Sequence, residues 1–264
     1  MRDFGKNAAK AKLQADELVL CLCVNQMRTP NIAMLAAAAG FDAIYVDHEH
    51  NPTDLETTAA ICIAAVGMGV TPLVRVASVA SHDIGRVLDL GAQGIMVAHV
   101  NTAEEARAVA AACLFKPLGH RSASGPLVSM AYRPLPQAEV NATANRETLV
   151  MVIIETEAGL ANVDAIGAVP GIDTLHIGAN DLSIELGVTG QYSHATMRDA
   201  YAKVTAAARK YGKSTGIGGI RNDPALQTEL LQQGFRYITC GSDVGYVLGG
   251  GQADTKAIRA MPLK

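Results

Sequence analysis

The chain has 264 residues, and 49% of them are hydrophobic. Its length matches an α/β barrel of roughly 250 residues. The formal net charge is −3 and aromatic residues make up only 4%, with no Trp. A nucleic-acid-binding protein usually has a basic surface and aromatic stacking groups, so this composition argues against a nucleic acid as partner.

The five cysteines predict a reducing compartment. Their number is odd, no Cys-x-x-Cys spacing occurs, and all lie in apolar runs. We interpret them as reduced core residues rather than as disulfides or zinc ligands. Residues 1–12 have mixed charge and lack the apolar stretch of a signal peptide. No apolar run reaches the roughly 18 residues of a membrane span, so we expect a cytoplasmic protein without membrane partners.

Eight apolar segments predict eight parallel strands. Each is a nearly continuous run of Val, Ile and Leu, as expected for a strand buried on both faces. In chain order the predicted strands are Leu18–Val24, Ala43–Asp47, Pro72–Val76, Gly94–Ala98, Leu149–Glu155, Thr174–Gly178, Ser214–Ile217 and Tyr237–Cys240.

The segments between these strands predict helices, several of which carry capping signals. The predicted helices are Pro30–Ala39, Asp54–Gly67, Ser81–Leu90, Thr102–Ala112, Glu157–Val169, Met197–Tyr211 and Asp223–Gln233. Residues 115–147 are rich in Pro, Gly, Ser and Arg and predict a long functional loop. Strict alternation of strands and helices favours an α/β fold, a single-domain (β/α)8 TIM barrel over residues 1–264.

Ionisable residues follow several of the predicted strands. The active site of such a barrel lies at the C-terminal ends of its strands. Strand two ends in Asp47-His48-Glu49-His50, strand three carries Arg75, and His99 follows strand four. Buried charges are costly, so their convergence on one end of the barrel indicates a functional site.

Glu155 and Asp181 predict a metal site, because each follows one of two neighbouring strands. Two carboxylates with open positions suit a hard cation such as Mg²⁺ or Mn²⁺. The alternative is that each residue caps the helix that begins after it. Considered together, the two carboxylates favour the metal site.

His50 is the candidate general base, because histidine exchanges protons near neutral pH. The alternative for a lone histidine is a polar loop residue. Arg75 either forms a structural ion pair, for instance with Asp47, or stabilises an enolate or carboxylate oxygen, and the two roles are compatible. His99 has two equally supported roles: it either contacts the substrate or supports another residue of the site. His176 lies inside strand six and predicts core packing.

Six phrases occur in an order and spacing that resemble the HpcH/HpaI aldolase family. These are the metal-dependent class II pyruvate aldolases, such as 4-hydroxy-2-oxoheptanedioate and 2-dehydro-3-deoxyglucarate aldolases. The resemblance covers nearly the whole chain. The phrases are Gly40–Asp42, Val46–Pro52, Leu73–Val76, Asp89–Ala92, Ile154–Ala158 and Ile177–Ser183.

The resemblance implies roles for the polar residues of the predicted barrel mouth. Glu155 and Asp181 would hold the metal, with Co²⁺ as an option besides Mg²⁺ and Mn²⁺, and the metal would bind pyruvate or a related keto acid. His50 would act as the base, directly or through a water. Asp89 would hydrogen-bond His50 and raise its basicity, and Arg75 would stabilise the enolate.

The resemblance also implies how substrate and partners are bound. Gly178, Ala179, Asn180 and Asp181 would bind the carboxylate of the keto acid. The other participant would be an aldehyde. The residues that support the site would be Asp47, His48, Glu49 and His99. We expect a homo-oligomer, a trimer or hexamer, in which the last helix is exchanged between subunits.

The chain departs from the family pattern at the predicted substrate wall. Ile153 stands where the family has Gln, and His48 where it has Gly or Met. His99 replaces the Met of Pro-Met-Val, and Arg121–Ser124 replaces Arg-Gly-x-Gly. We therefore expect metal-dependent aldol chemistry on an altered substrate. The alternatives are a synthase or decarboxylase acting on oxaloacetate through the same enolate, and a catalytically silent barrel, against which the retained charged residues argue.

Overall fold

A computed structural model describes residues 5–80 and 82–263. Eight parallel strands form a closed barrel in which each strand pairs with the next and β8 pairs with β1. The predicted (β/α)8 fold is therefore confirmed. The strands are β1 Val19–Val24, β2 Ala43–Asp47, β3 Thr71–Val76, β4 Gly94–Val97, β5 Leu149–Ile154, β6 Thr174–Gly178, β7 Ser214–Gly218 and β8 Phe235–Ser242.

Twelve α-helices occur within the described residues, together with a 3₁₀ turn at Val128–Met130. None of these helices combines the length and apolar character needed to cross a membrane. The helices are α1 Ala8–Gln14, α2 Asn31–Ala38, α3 Leu55–Met68, α4 Ile84–Asp89, α5 Ala103–Cys113, α6 Gln137–Glu147, α7 Glu157–Ala161, α8 Val163–Gly167, α9 Ala179–Glu185, α10 Ala195–Lys210, α11 Pro224–Gln233 and α12 Asp243–Arg259.

The structure corrects three predicted elements. The predicted helix Glu157–Val169 is two short helices, α7 and α8, which meet at Asn162. The predicted loop 115–147 contains α6, which buries only Val140 and Ala144 and so has no apolar stripe in its sequence. The predicted helix Ser81–Leu90 is observed as α4, and its first residue lies outside the described residues.

Helix α1 closes the N-terminal end of the barrel. The side-chain amide of Asn7 donates to the backbone oxygens of Gln93 and Glu147, next to the starts of β4 and β5. The Lys10 ammonium donates to the oxygen of Thr148 and pairs with Asp173, next to the starts of β5 and β6. Because α1 covers this end, the opposite end is the one at which a substrate enters.

The barrel interior is filled by side chains in contact with one another. Tyr45, Met96, Met151 and Tyr237 are buried there in one cluster with Leu13 of α1. A separate, larger cluster packs the outer faces of the strands against the helices. The interior is therefore a packed core below the barrel mouth, as in other barrels of eight strands.

Candidate active site

A cavity of about 290 Å³ opens at the C-terminal ends of the strands. Each of the eight strands contributes at least one lining residue, as do the segments that follow β1, β2, β5, β6 and β7. Seven residues predicted from the sequence line this cavity, namely His50, Arg75, Glu155 and residues 178–181. The structure thus brings the predicted base, arginine and metal ligands into one site.

Asp47 and Arg75 form a buried ion pair at the ends of neighbouring strands β2 and β3. Arg75 Nε donates to Asp47 Oδ1 at 2.8 Å, and the Asp47 side chain is fully buried. Asp47 also accepts hydrogen bonds from the backbone N–H of Glu49 and from Asn51 Nδ2. Burial opposes ionisation, but the hydrogen bonds and the Arg75 charge outweigh it, so the pKa of Asp47 lies below its ordinary value.

The Glu49 carboxylate connects three basic side chains. Its Oε2 lies 3.0 Å from Arg75 Nη1 and 3.6 Å from His50 Nε2, and its Oε1 lies 3.3 Å from His99 Nε2. The contact with Arg75 is an ion pair without hydrogen-bond geometry. Glu49 is nearly buried, whereas His50 is 60% exposed. Glu49 is thus placed to orient an accessible His50.

Glu155 lies at the centre of the acidic side of the cavity. Its Oε1 accepts a hydrogen bond of 2.8 Å from the backbone N–H of His99, whose ring nitrogen Nδ1 lies 3.4 Å away. Burial raises the pKa of Glu155, and the nearby Glu49 and Asp181 carboxylates raise it further against the opposing effect of His99. Three carboxylates therefore converge here, and a cation would relieve their mutual repulsion.

The donor set fits a divalent cation. Ligand atoms of Glu49, His99 and Glu155 all lie within 4.8 Å of one another. Asp181, the second predicted ligand, lines the same cavity and acts electrostatically on Glu155. Glu155 thus belongs to two overlapping ligand sets, one with Asp181 and one with Glu49 and His99. Both sets offer the oxygen atoms that hard cations prefer.

The end of β6 lies directly against Glu155. A Cβ atom on Gly178 would lie 2.3 Å from Glu155 Oε2, so a larger residue would displace this carboxylate. Ala179, Asn180 and Asp181 follow as the first turn of α9. Their backbone N–H groups have no acceptor within the helix. All four predicted substrate-binding residues line the cavity.

Five predicted site residues are not in the cavity lining: Asp47, Glu49 and His99, whose contacts are given above, and His48 and Asp89. His48 Nε2 lies 2.7 Å from Thr58 Oγ1 of α3. The Thr58 hydroxyl group donates to the backbone oxygen of Asp54, so it accepts the hydrogen bond from His48. His48 therefore links the end of β2 to α3 and does not face the cavity. Asp89 accepts from Arg121 at 2.6 Å.

The expected hydrogen bond between Asp89 and His50 is absent within the described chain, where Glu49 is the acidic neighbour of His50. Asp89 ends α4, and its carboxylate pairs with the buried Arg121 of the loop that follows α5. Within the single chain that the structure describes, the predicted Asp89–His50 pair is therefore not formed. The physical reason is that the α4 end faces Arg121 and not the barrel mouth.

The cavity floor contains a neutral histidine. His176 is nearly buried, with its ring edge-on to Tyr237 at 5.5 Å between centroids. Burial lowers the pKa of His176 to about 3, and its Nδ1 has no hydrogen-bond partner among the described residues. His176 is therefore buried in the core, as predicted, and its ring also lines the cavity together with Ile153. Sequence reasoning did not find Arg221, which lines the cavity after β7.

Comparison with known proteins identifies relatives across most of the chain. The sequence model of the HpcH/HpaI aldolase/citrate lyase family matches residues 22–249. A 4-hydroxy-4-methyl-2-oxoglutarate aldolase of Chaetomium globosum is 35% identical over 240 residues, which cover 90% of this chain and 89% of that protein. The family resemblance predicted from the motifs is thereby confirmed.

Two solved structures show how the scaffold is used elsewhere. An HpcH/HpaI aldolase from Desulfitobacterium hafniense DCB-2 has a TM-score of 0.91 and 30% identity, over 96% of this chain and 97% of that one. A citrate synthase has a TM-score of 0.84 and 26% identity, over 96% of this chain and 98% of that one. Proteins named for breaking and for making C–C bonds thus share this fold.

The Asp47–Arg75 pair predicts a pH-dependent stability. An unfolded Asp titrates near pH 4 and folded Asp47 titrates lower, so its stabilising contribution is present above about pH 4 and is lost as the pH falls through the folded pKa. We expect Asp47→Asn to cost about 3 kcal/mol at pH 7, since it breaks a buried pair. Denaturant unfolding measured from pH 7 to pH 3 should show this cost shrinking.

The matched control for this measurement is Asp199→Asn, an exposed carboxylate on α10. It should change the free energy of unfolding by less than about 0.5 kcal/mol at every pH. A cost of Asp47→Asn that stays constant from pH 7 to pH 3 would contradict the assignment of an ionised Asp47.

Proposed function

The chain belongs to the HpcH/HpaI aldolase/citrate lyase family, and we propose on this premise that it is a divalent-metal-dependent aldolase. It would cleave and form the C3–C4 bond of 4-hydroxy-2-keto acids, giving pyruvate or a related keto acid and an aldehyde or ketone. The observation that carries the proposal is that Glu155 and Asp181 line one cavity with Arg75 and His50, and that Glu49 contacts both of these basic side chains.

Glu155 and Asp181 are the residues we assign to the cation, with Mg²⁺ or Mn²⁺ as the preferred ion and Co²⁺ as a further option. The raised pKa of Glu155 supports this assignment, because an added positive charge would stabilise its ionised carboxylate. When bound, the cation supplies a Lewis acid that polarises the keto carbonyl of the substrate. Glu49 and His99 would orient the Glu155 carboxylate, because His99 contacts both acidic side chains.

The keto acid would lie against the end of β6. We assign its carboxylate to the backbone of residues 178–181, where first-turn N–H groups of α9 lack intrahelical acceptors. Gly178 permits this approach, since a side chain there would collide with Glu155. Ile153 and His176 form the floor and exclude water from the reacting carbon atoms.

His50 and Arg75 would move the proton and hold the charge. In cleavage, His50 takes the proton of the C4 hydroxyl group, the C3–C4 bond breaks, and its electron pair forms the C2–C3 enolate. The Arg75 guanidinium stabilises the enolate oxygen. The proton then returns to C3 and gives the methyl group of the keto acid. Glu49 orients His50, and we leave Asp89 out of this pair because it binds Arg121.

A second candidate is a C–C-forming synthase or decarboxylase that acts on oxaloacetate. The likeness to a citrate synthase over 96% of the chain favours it, as does Ile153 at the cavity wall. It requires the same enolate and the same residues. It is distinguished from the aldolase by proton exchange without cleavage of 4-hydroxy-2-keto acids.

We also propose that the chain works as a homo-oligomer, in one domain, in the reducing cytoplasm. Helix α12 buries only Asp243 and leaves its apolar side chains exposed. An apolar groove lies beside its start, and a face of this kind is usually covered by another chain. The groove is lined mainly by Leu22, Met27, Ile32, Leu35, Phe41, Tyr246 and Val247.

The metal assignment predicts the behaviour of pyruvate in D₂O. The protein with Mg²⁺ or Mn²⁺ should exchange the methyl protons of pyruvate for deuterium, as followed by NMR, and EDTA should abolish the exchange. We expect Glu155→Gln to lower the exchange rate at least about 1,000-fold, because loss of an electrostatic stabiliser costs about 10²–10³ and loss of a metal ligand costs more.

The control is Glu157→Gln, an exposed carboxylate two residues along the chain. It should exchange at the wild-type rate. Full activity of Glu155→Gln would refute the metal site, and the absence of exchange with every divalent ion would refute both enzymatic functions.

If the chain forms a trimer or hexamer, light scattering should give a mass of three or six chains of 27.5 kDa. The double substitution Val247→Asp with Leu248→Asp places charge on the exposed face of α12 and should lower this mass. Leu118→Asp, at an exposed apolar residue outside the helices, should leave it unchanged. A wild-type mass of one chain would contradict the proposal.

A further inference from the structure

Two arginines line the cavity, and they differ in their partners. Arg75 is bound to the carboxylates of Asp47 and Glu49. Arg221 has no carboxylate or hydrogen-bond acceptor among residues 5–80 and 82–263, where its recorded contact is the face of the Tyr246 ring. Its five N–H donors are therefore available to a ligand.

The Arg221 guanidinium is held in a defined position. Its Cζ lies 5.5 Å from the centre of the Tyr246 ring. A Cβ atom on Gly245 would lie 2.2 Å from Arg221 Nη1, and one on Gly241 would lie 3.1 Å from Nη2. The backbone at the end of β8 and the start of α12 thus leaves the space that the guanidinium fills, and the Tyr246 ring contacts the guanidinium by its face.

Both supports of Arg221 are anchored. The start of α12 is fixed by Asp243, which accepts hydrogen bonds from the backbone N–H groups of residues 25–27. The loop that carries Arg221 follows the buried Ile220, and Asp223 then caps α11 through the N–H of Leu226. Little side-chain entropy would be lost on binding a ligand, which favours recognition by a preorganised group.

Arg221 follows a different part of the barrel rim from Glu49 and Glu155. Arg221 and Tyr246 follow β7 and β8, whereas Glu49 and Glu155 follow β2 and β5. A keto acid bound at the β6 end, as proposed above, has its own carboxylate already occupied. A guanidinium fork with free N–H groups fits a carboxylate in bidentate geometry. The cavity of about 290 Å³ suits a short acid rather than a nucleotide-sized ligand.

We propose that Arg221 determines specificity by binding a second carboxylate, on the part of the substrate that leaves as the carbonyl product. The preferred substrates would be 4-hydroxy-2-keto dicarboxylic acids rather than the monocarboxylic ones. This inference rests on the proposed aldolase function, because it concerns the other end of the same substrate. Arg221 does not take part in breaking the bond.

The test compares two substrates in each variant. One is 4-hydroxy-2-oxoglutarate, with two carboxylates, and the other is 4-hydroxy-2-oxopentanoate, with one. In the wild type we expect kcat/KM to be higher for the dicarboxylate. In Arg221→Gln the ratio of the two kcat/KM values should fall about 10- to 100-fold, mostly through KM, because a hydrogen-bonded charge pair is lost. Arg221→Lys should recover part of the ratio, since it keeps the charge but not the fork.

A second variant leaves Arg221 in the sequence and moves it. Gly245→Ala places a methyl group against Arg221 Nη1 and should lower the same ratio. Arg107→Gln, an exposed arginine on α5, is the control and should leave both kcat/KM values unchanged. Circular dichroism confirms that the variants compared are folded.

The outcomes separate this inference from the proposed function. If the wild type exchanges pyruvate protons but the substrate ratio is unchanged in Arg221→Gln, the role of Arg221 is refuted and the aldolase stands. An equal loss on both substrates also refutes it, because it indicates a structural role. If the wild type exchanges no protons with any divalent ion, the proposed function fails, and this inference fails with it.

Discussion

The mouth of the barrel depends on the ion pairs that Arg75 makes with Asp47 and Glu49. The nearby Glu155 and Asp181 carboxylates add further negative charge to this site, and a buried carboxylate without a partner is costly. Arg75 keeps Asp47 ionised and leaves Glu155 as the carboxylate whose charged form is disfavoured. The protein thus stabilises one side of the cluster, and on the proposed function a cation would stabilise the other.

The fold explains how residues far apart in sequence reach this cluster. Parallel strands place all their C-terminal ends at one rim, and α1 closes the opposite rim. Asp47 and Glu49 therefore lie at the end of β2, next to Arg75 on β3. Glu155 lies at the end of β5, next to the end of β6 that leads to Asp181. Gly178 completes the arrangement by allowing the end of β6 to touch Glu155.

The strands were predictable because each is a buried apolar run; β2 and β6 have the predicted bounds. The convergence of site residues followed from barrel geometry alone. Helix α6 was missed because it buries too little to give a periodic signal. Helix α12 was expected only from the family resemblance, because it packs against little of its own chain. The Arg121–Asp89 contact and the support of Arg221 by Gly245 depend on loop conformations, which strand periodicity does not encode.

The central claim is that Glu155 and Asp181 hold the cation, while His99 supports Glu155 from outside. The most direct test is Mn²⁺ binding, followed by electron paramagnetic resonance, in the wild type, Asp181→Asn and His99→Gln. The account predicts one Mn²⁺ per chain, a loss of affinity of at least about 100-fold in Asp181→Asn, and a smaller loss in His99→Gln, within the 10- to 100-fold range of supporting residues. Wild-type affinity in Asp181→Asn, with binding abolished in His99→Gln, would contradict it and place the ion between Glu49, His99 and Glu155.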